Sequence, residues 1–99
     1  MQRGLGRRGP VVPTTPGAIT PVMVLQTTIA VRWASSSDNV RVTGYRLWRG
    51  SAQAGTTTGT SWSFTGLACG TSYQLGVDAI DAAGNVSGRR TVPVSTARC

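Results

Sequence analysis

Few side chains in this chain of 99 residues could carry out chemistry. Arginine supplies all ten basic side chains, Asp38, Asp78 and Asp81 supply the acidic ones, and the formal net charge is +7. Histidine, lysine and glutamate are absent. A nucleophile activated by histidine, a histidine-ligated metal, a lysine Schiff base and a Walker-type phosphate loop are therefore excluded. Since general acid–base catalysis has little to work with as well, we expect no enzyme, no catalytic residues and no cofactor.

An arginine and a tryptophan form a candidate ligand-contact pair. Alternation along GYRLWR places Tyr45 and Leu47 on one face of a strand and Arg46 and Trp48 on the other. An exposed tryptophan can stack on a pyranose ring or seat a partner protein. Alternatively, a neighbouring strand edge or the N-terminal linker covers Trp48, and the ring serves packing. We keep both interpretations of Arg46 and Trp48.

The positive charge is spread along the chain. Three arginines lie in residues 1–12, and Arg89 and Arg90 form the one adjacent pair in the remainder. Nucleic-acid binding calls for a basic stripe interleaved with exposed aromatic residues, and the sequence shows none. We therefore expect no nucleic-acid partner, and we leave open a weak attraction to an anionic cell-wall polymer or a membrane surface.

The remaining pattern predicts one small all-β domain. Residues 1–12 are expected to be a flexible basic tail, 13–17 a Pro/Thr linker, and 18–99 the domain. No apolar run is long enough to span a membrane. Short alternating segments separated by Gly, Ser, Asn and Asp clusters predict a sandwich of seven strands. The predicted strands cover 18–24, 27–34, 45–49, 52–56, 61–65, 71–80 and 90–96.

The aromatic residues supply most of the predicted core. Five of the six stand in phase with the inward faces of these strands, which favours packing over ligand binding. They are Trp33, Tyr45, Trp62, Phe64 and Tyr73.

In this order, the segments resemble a fibronectin type III domain over residues 14–97. The likeness is carried by IAVRW with Trp33, GYRLW with Tyr45, GLACGTSY and VDAIDAAGNVS. GLACGTSY is similar to the family's Leu-x-Pro-Gly-Thr-x-Tyr segment, with Leu67 and Tyr73 at the matching positions. The resemblance implies a seven-stranded antiparallel immunoglobulin-like β-sandwich, with Leu67 in the core and a tyrosine corner in which the Tyr73 hydroxyl bonds nearby backbone.

The sequence departs from the family at one position that carries chemistry. Cys69 stands where the family usually has proline, and the second cysteine is Cys99. The family topology brings both to one pole, which implies a disulfide and an oxidising, extracellular compartment. The alternative is two unrelated thiols. A metal site would need more ligands than two cysteines provide.

The same topology brings two loops together at the other pole. One carries Asp38 and Asn39, and the other Asp81 and Asn85. Calcium would need six to eight oxygen ligands, and no EF-type spacing is present. Aspartate and asparagine in such loops more often bond their own backbone. We expect turn stabilisation here, with calcium as the alternative.

The topology also places Arg46 and Asp78 on adjacent strands, both facing outward. We expect a solvated ion pair worth a few tenths of a kcal/mol, with no functional role of its own.

The functional expectation follows from the kind of family member. The chain resembles modules that lie beside catalytic domains in secreted bacterial chitinases and cellulases. This implies a secreted, monomeric, non-catalytic spacer or accessory module whose partners are the flanking domains of the same polypeptide. The alternative is a binding module that recognises a glycan, a cell-wall polymer or a protein through Arg46 and Trp48.

Overall fold

The computed structural model describes residues 12–37 and 41–99, and these contain seven β-strands and no helix. The strands are β1 Thr20–Val24, β2 Ile29–Arg32, β3 Val42–Arg49, β4 Ala52–Thr57, β5 Ser61–Phe64, β6 Ser72–Asp81 and β7 Arg90–Ser95. Within these ranges no helix is long and apolar enough to cross a membrane. Apart from Val12, the expected basic tail falls outside the described ranges.

The strands form two antiparallel sheets, which confirms the predicted sandwich. One sheet has the order β1-β2-β5 and the other the order β4-β3-β6-β7. Alternate residues of each strand face the space between the sheets, and Ile29 and Val31 of β2 and Leu75, Val77 and Ala79 of β6 are completely or almost completely buried. This apolar layer excludes water from the centre of the domain, and it is the main source of its stability.

The aromatic side chains surround this layer. Trp33 and Tyr45 are buried in edge-to-face contact, with ring centroids 5.5 Å apart and an interplanar angle of 68°. Phe64 and Leu67 are buried as well. Trp62 and Tyr73 are half-buried and pack against the core from its periphery. The expected core set therefore consists of four enclosed side chains and two that border solvent.

The extended stretch 13–17 lies against the sandwich and does not project from it as a linker would. Pro16 is fully buried, and its carbonyl oxygen accepts a hydrogen bond from Arg90 Nε at 3.0 Å. Gly17 N–H donates to the Ala34 carbonyl at 3.1 Å, and a Cβ at Gly17 would lie 2.6 Å from that of Ala34. Proline lacks an N–H, so its burial leaves no unpaired donor. The folded unit thus begins near residue 13, upstream of the expected boundary at 18.

The end of the chain is fixed at the pole opposite this stretch. Cys69 and Cys99 form a disulfide whose Cα atoms are 5.2 Å apart. Ala97 N–H donates to the carbonyl of Leu25, in the β1–β2 turn, at 2.9 Å. Closing a loop of this length stabilises a fold by about 3–4 kcal/mol on the chain-entropy model. The terminus is therefore held both covalently and by backbone pairing.

The tyrosine corner supplies a test of the fold. Tyr73 Oη accepts a hydrogen bond from Ala68 N–H at 2.8 Å. Tyr73→Phe keeps the ring and removes that acceptor, so we expect a loss of about 1 kcal/mol in the free energy of unfolding. Urea denaturation followed by tryptophan fluorescence would measure it. An unchanged midpoint at an unchanged slope would show that the bond contributes nothing.

Candidate functional site

Four side chains meet on the outer face of the larger sheet: Arg46, Trp48, Asp78 and Arg89, here called the arginine–tryptophan cluster. Antiparallel pairing of β3 with β6 sets Arg46 directly opposite Asp78. Trp48 lies two residues further along the same face of β3. Arg89 precedes β7, the next strand across the sheet. The cluster therefore combines side chains from three separate segments, and its first and last residues, Arg46 and Arg89, are 43 positions apart in the sequence.

The carboxylate of Asp78 lies at the centre of this cluster. Arg46 binds it in a bidentate manner, with Nε donating to Oδ1 at 2.9 Å and Nη2 donating to Oδ2 at 2.8 Å. Trp48 Nε1 donates to Oδ2 at 3.1 Å, and Arg89 Nε lies 4.0 Å from the same oxygen. Asp78 is only 2% exposed. The expected cross-strand ion pair is present, but it is not solvated as expected, because Trp48 and the two arginines shield the carboxylate from water.

The ring of Trp48 is covered by arginine. The guanidinium carbon of Arg89 lies 3.8 Å from the ring centroid, and that of Arg46 lies 5.0 Å away. Gly76, opposite Trp48 on β6, leaves room for this cover, since a Cβ there would lie 2.9 Å from Cδ of Arg89. Cation–π contacts of this kind contribute about 0.5–1 kcal/mol at exposed sites. A sugar that stacked on this face of Trp48 would first have to displace Arg89.

The electrostatics of the cluster favour a fixed arrangement. The hydrogen bond to Asp78 raises the pKa of the Arg46 guanidinium, and the attraction of the carboxylate adds to this, whereas partial burial acts in the opposite direction. The cluster contains two cations, one anion and an indole, and the carboxylate is buried and bonded to Arg46 and Trp48. This arrangement suits packing and ion pairing.

In the loop that carries Asp81 and Asn85, the aspartate stabilises the turn. Asp81 Oδ1 accepts hydrogen bonds from Ala83 N–H at 2.9 Å and Asn85 N–H at 2.8 Å. Asp81 Oδ2 accepts one from the Asn85 side-chain amide at 3.1 Å. This is the turn-stabilising role expected of such residues. Asp38 and Asn39 are not among the residues described, and the described part contains no group of three or more His, Cys, Asp or Glu side chains that could hold a metal.

A cleft that the sequence did not reveal opens between β4 and β5, which are edge strands of opposite sheets. Its volume is about 260 Å³. The half-buried indole of Trp62 borders it, together with the exposed side chains of Arg49 and Gln53. The inward phase of Trp62 predicted core packing, and no sequence pattern shows that its strand ends a sheet. The cleft therefore depends on tertiary structure.

The fold and these sites define an immunoglobulin-like β-sandwich whose polar clusters stabilise its own structure. Residues 14–96 match the model of the fibronectin type III domain, and the chain belongs to this family.

Its relatives include polysaccharide-degrading enzymes. Exoglucanase B of Cellulomonas fimi is 45% identical over 75 residues, which are 76% of this chain and 7% of that protein. Chitinase A1 of Niallia circulans is 45% identical over 86 residues, or 86% of this chain and 12% of that protein. The solved structure of chitinase ChiA74 from Bacillus thuringiensis superposes with a TM-score of 0.83 at 29% identity, covering 93% of this chain and 14% of that one. The chain thus corresponds to a small part of each relative.

The buried carboxylate can be tested by Asp78→Asn, which keeps the size of the side chain and removes its charge. Arg46 and Arg89 would lose their shared counter-ion, so we expect a loss of about 2 kcal/mol in the free energy of unfolding, moderated by the partial exposure of both arginines. Urea denaturation measures this loss. Arg32→Gln, on an exposed position of the other sheet, is the control and should change stability by less than about 0.5 kcal/mol. Equal stability of the two variants would contradict a structural role for Asp78.

Proposed function

We propose that this domain is a non-catalytic spacer module in a secreted polysaccharide-degrading enzyme, and that its partners are the flanking domains of the same polypeptide. The observation that carries the proposal is the position of the two ends of the folded unit. The chain joins the sandwich at one pole and leaves it at the other, so that domains attached to the two ends would be held apart by the length of the sandwich.

Backbone contacts fix both ends. At one pole, Thr14 N–H donates to the carbonyl of Ser37, in the β2–β3 connection, at 2.9 Å. At the other, the Cys69–Cys99 disulfide holds the terminal residue beside the loop that precedes β6. The ten residues of β6 run between the two poles. At about 3.3 Å per residue they set a separation of about 30 Å.

The relatives and the disulfide support the enzyme context. Proteins whose names are exoglucanase and chitinase contain a segment that is 45% identical to this chain, and that segment is no more than 12% of their length. Residues that could support catalysis are scarce here, so we assign the chemistry to the rest of such a polypeptide. A disulfide between the only two cysteines favours an oxidising compartment and therefore secretion.

The spacer role can be tested in the polypeptide that carries the module. Replacing the module with a Gly/Ser linker of equal length removes the fixed separation, because such linkers behave as random coils. We expect unchanged turnover of a short soluble oligosaccharide and a several-fold loss of activity on insoluble polysaccharide. As a control, an unrelated sandwich domain with ends at opposite poles should restore activity. Equal activity of the flexible-linker version on both substrates would overturn the proposal.

The disulfide also determines which part of the module bears load when its ends are pulled apart. Force applied at Cys99 passes through the disulfide to Cys69, so the 30-residue loop between them cannot extend. Single-molecule pulling should therefore show an unfolding extension that grows by about 100 Å when the disulfide is reduced, at about 3.6 Å per residue. Cys69→Ser should show the longer extension with and without reductant. The same extension for oxidised and reduced wild-type protein would contradict this load path.

A further inference from the structure

We propose that the cleft between β4 and β5 is a weak binding site for one pyranose unit of a polysaccharide. Among the residues that line this edge cleft are Arg49 and Gln53 on one side and Trp62, Ser63, Phe64 and Thr65 on the other. It differs from the arginine–tryptophan cluster in position, and it lies at the open side of the sandwich.

The aromatic wall of the edge cleft is held in a fixed position. Trp62 pairs with Val31 on β2, and the indole reaches across the gap between the sheets to Gly55 on β4. A Cβ at position 55 would lie 2.5 Å from Cζ2 of Trp62, so glycine is required for this approach. The indole is therefore supported from one side by the opposite sheet, as a stacking platform must be.

The polar groups around this wall are available to a ligand. No described residue accepts a hydrogen bond from the Nε1 of Trp62, whereas that of Trp48 donates to Asp78. Arg49 is exposed, its guanidinium lies 6.0 Å from the Tyr73 ring, and no described carboxylate lies within ion-pair distance of it. Gln53 lines the cleft on the free edge of β4, where an edge strand presents backbone N–H and C=O groups without a strand partner. The cleft thus combines an indole, an arginine without a described carboxylate partner and the polar backbone of an edge strand.

This set of groups matches the chemistry of a sugar ring. A pyranose has C–H groups that pack on an aromatic surface and hydroxyl groups that bond to arginine and to backbone N–H and C=O groups. Ser63 and Thr65 border the cleft from the side of β5, next to the buried Phe64. The arginine would suit a uronic acid as well as a neutral sugar, because guanidinium binds both hydroxyl and carboxylate oxygens.

The size of the cleft limits its affinity. A volume of about 260 Å³ lies just below the range of typical small-molecule pockets, which is enough for a single ring. Because few atoms would be buried, we expect a Kd on the order of 1 mM. If the module is tethered to a catalytic domain, as the proposed function holds, even a site this weak is occupied, because tethering gives the polysaccharide a millimolar effective concentration at the module.

The test is an NMR titration of the ¹⁵N-labelled chain with soluble cello-, chito- and galacturono-oligosaccharides. We expect saturable shifts of the Trp62 indole N–H and the amides of residues 52–54, with little change at the indole of Trp48. A response to the neutral sugars or to the uronate identifies the class of ligand. Arg49→Ala should weaken binding at least threefold.

Matched controls separate binding from folding. Arg32→Ala removes the same residue type from an exposed position elsewhere, and its affinity should equal that of the wild type. Spectral dispersion shows that each variant is folded. The inference is overturned if no oligosaccharide gives saturable shifts at tens of millimolar, if the shifts centre on Trp48, or if Arg49→Ala binds as well as the control. None of these results affects the spacer proposal, which depends on the two ends of the domain.

Discussion

The antiparallel pairing of β3 with β6 is the constraint on which both faces of the larger sheet depend. Its register places Tyr45 and Leu47 in the core opposite Ala79 and Val77, and it places Arg46 outside, opposite Asp78. A slip of one residue along either strand would turn apolar side chains toward water and a carboxylate toward the core. The core and the arginine–tryptophan cluster therefore stabilise the same register from opposite sides of one sheet.

Two glycines explain why two tryptophans have different surroundings. Because Gly76 has no side chain to collide with Arg89, the Arg89 guanidinium can pack against the ring of Trp48. Gly55 lacks one beside Trp62, so that indole can span the gap between the sheets and leave a cleft along its border. Trp48 is thus covered on the outer face of its sheet, whereas Trp62 borders an open cleft, and a neighbouring glycine makes each arrangement possible.

The sequence predicted the strands well because alternation and turn residues are local. The first three residues of β3 were missed: the strand begins at Val42, and not at Tyr45, since a register shift between Val42 and Gly44 breaks the alternation there. The burial of Asp78 was missed for a different reason. Alternation shows that a residue faces outward, but the cover over it comes from Arg89, whose position depends on how β7 joins the sheet. The prolines in 13–17 could not show whether this segment is a linker or packs against the domain, because proline is common in both kinds of extended chain.

The positions of the acidic residues explain why the surface of the domain is positively charged. Asp78 and Asp81, which are the acidic residues in the described ranges, are each 2% exposed and accept hydrogen bonds within the domain. Both carboxylates are bonded to other groups of the domain, whereas the side chains of Arg32, Arg41 and Arg49 remain exposed. A surface with charge of one sign opposes close association between copies of the domain. Because both described carboxylates are bonded elsewhere, Arg49 has no carboxylate partner beside Trp62. A hydroxyl-bearing or anionic ligand would therefore gain more binding energy in the edge cleft than at Trp48, whose ring is covered.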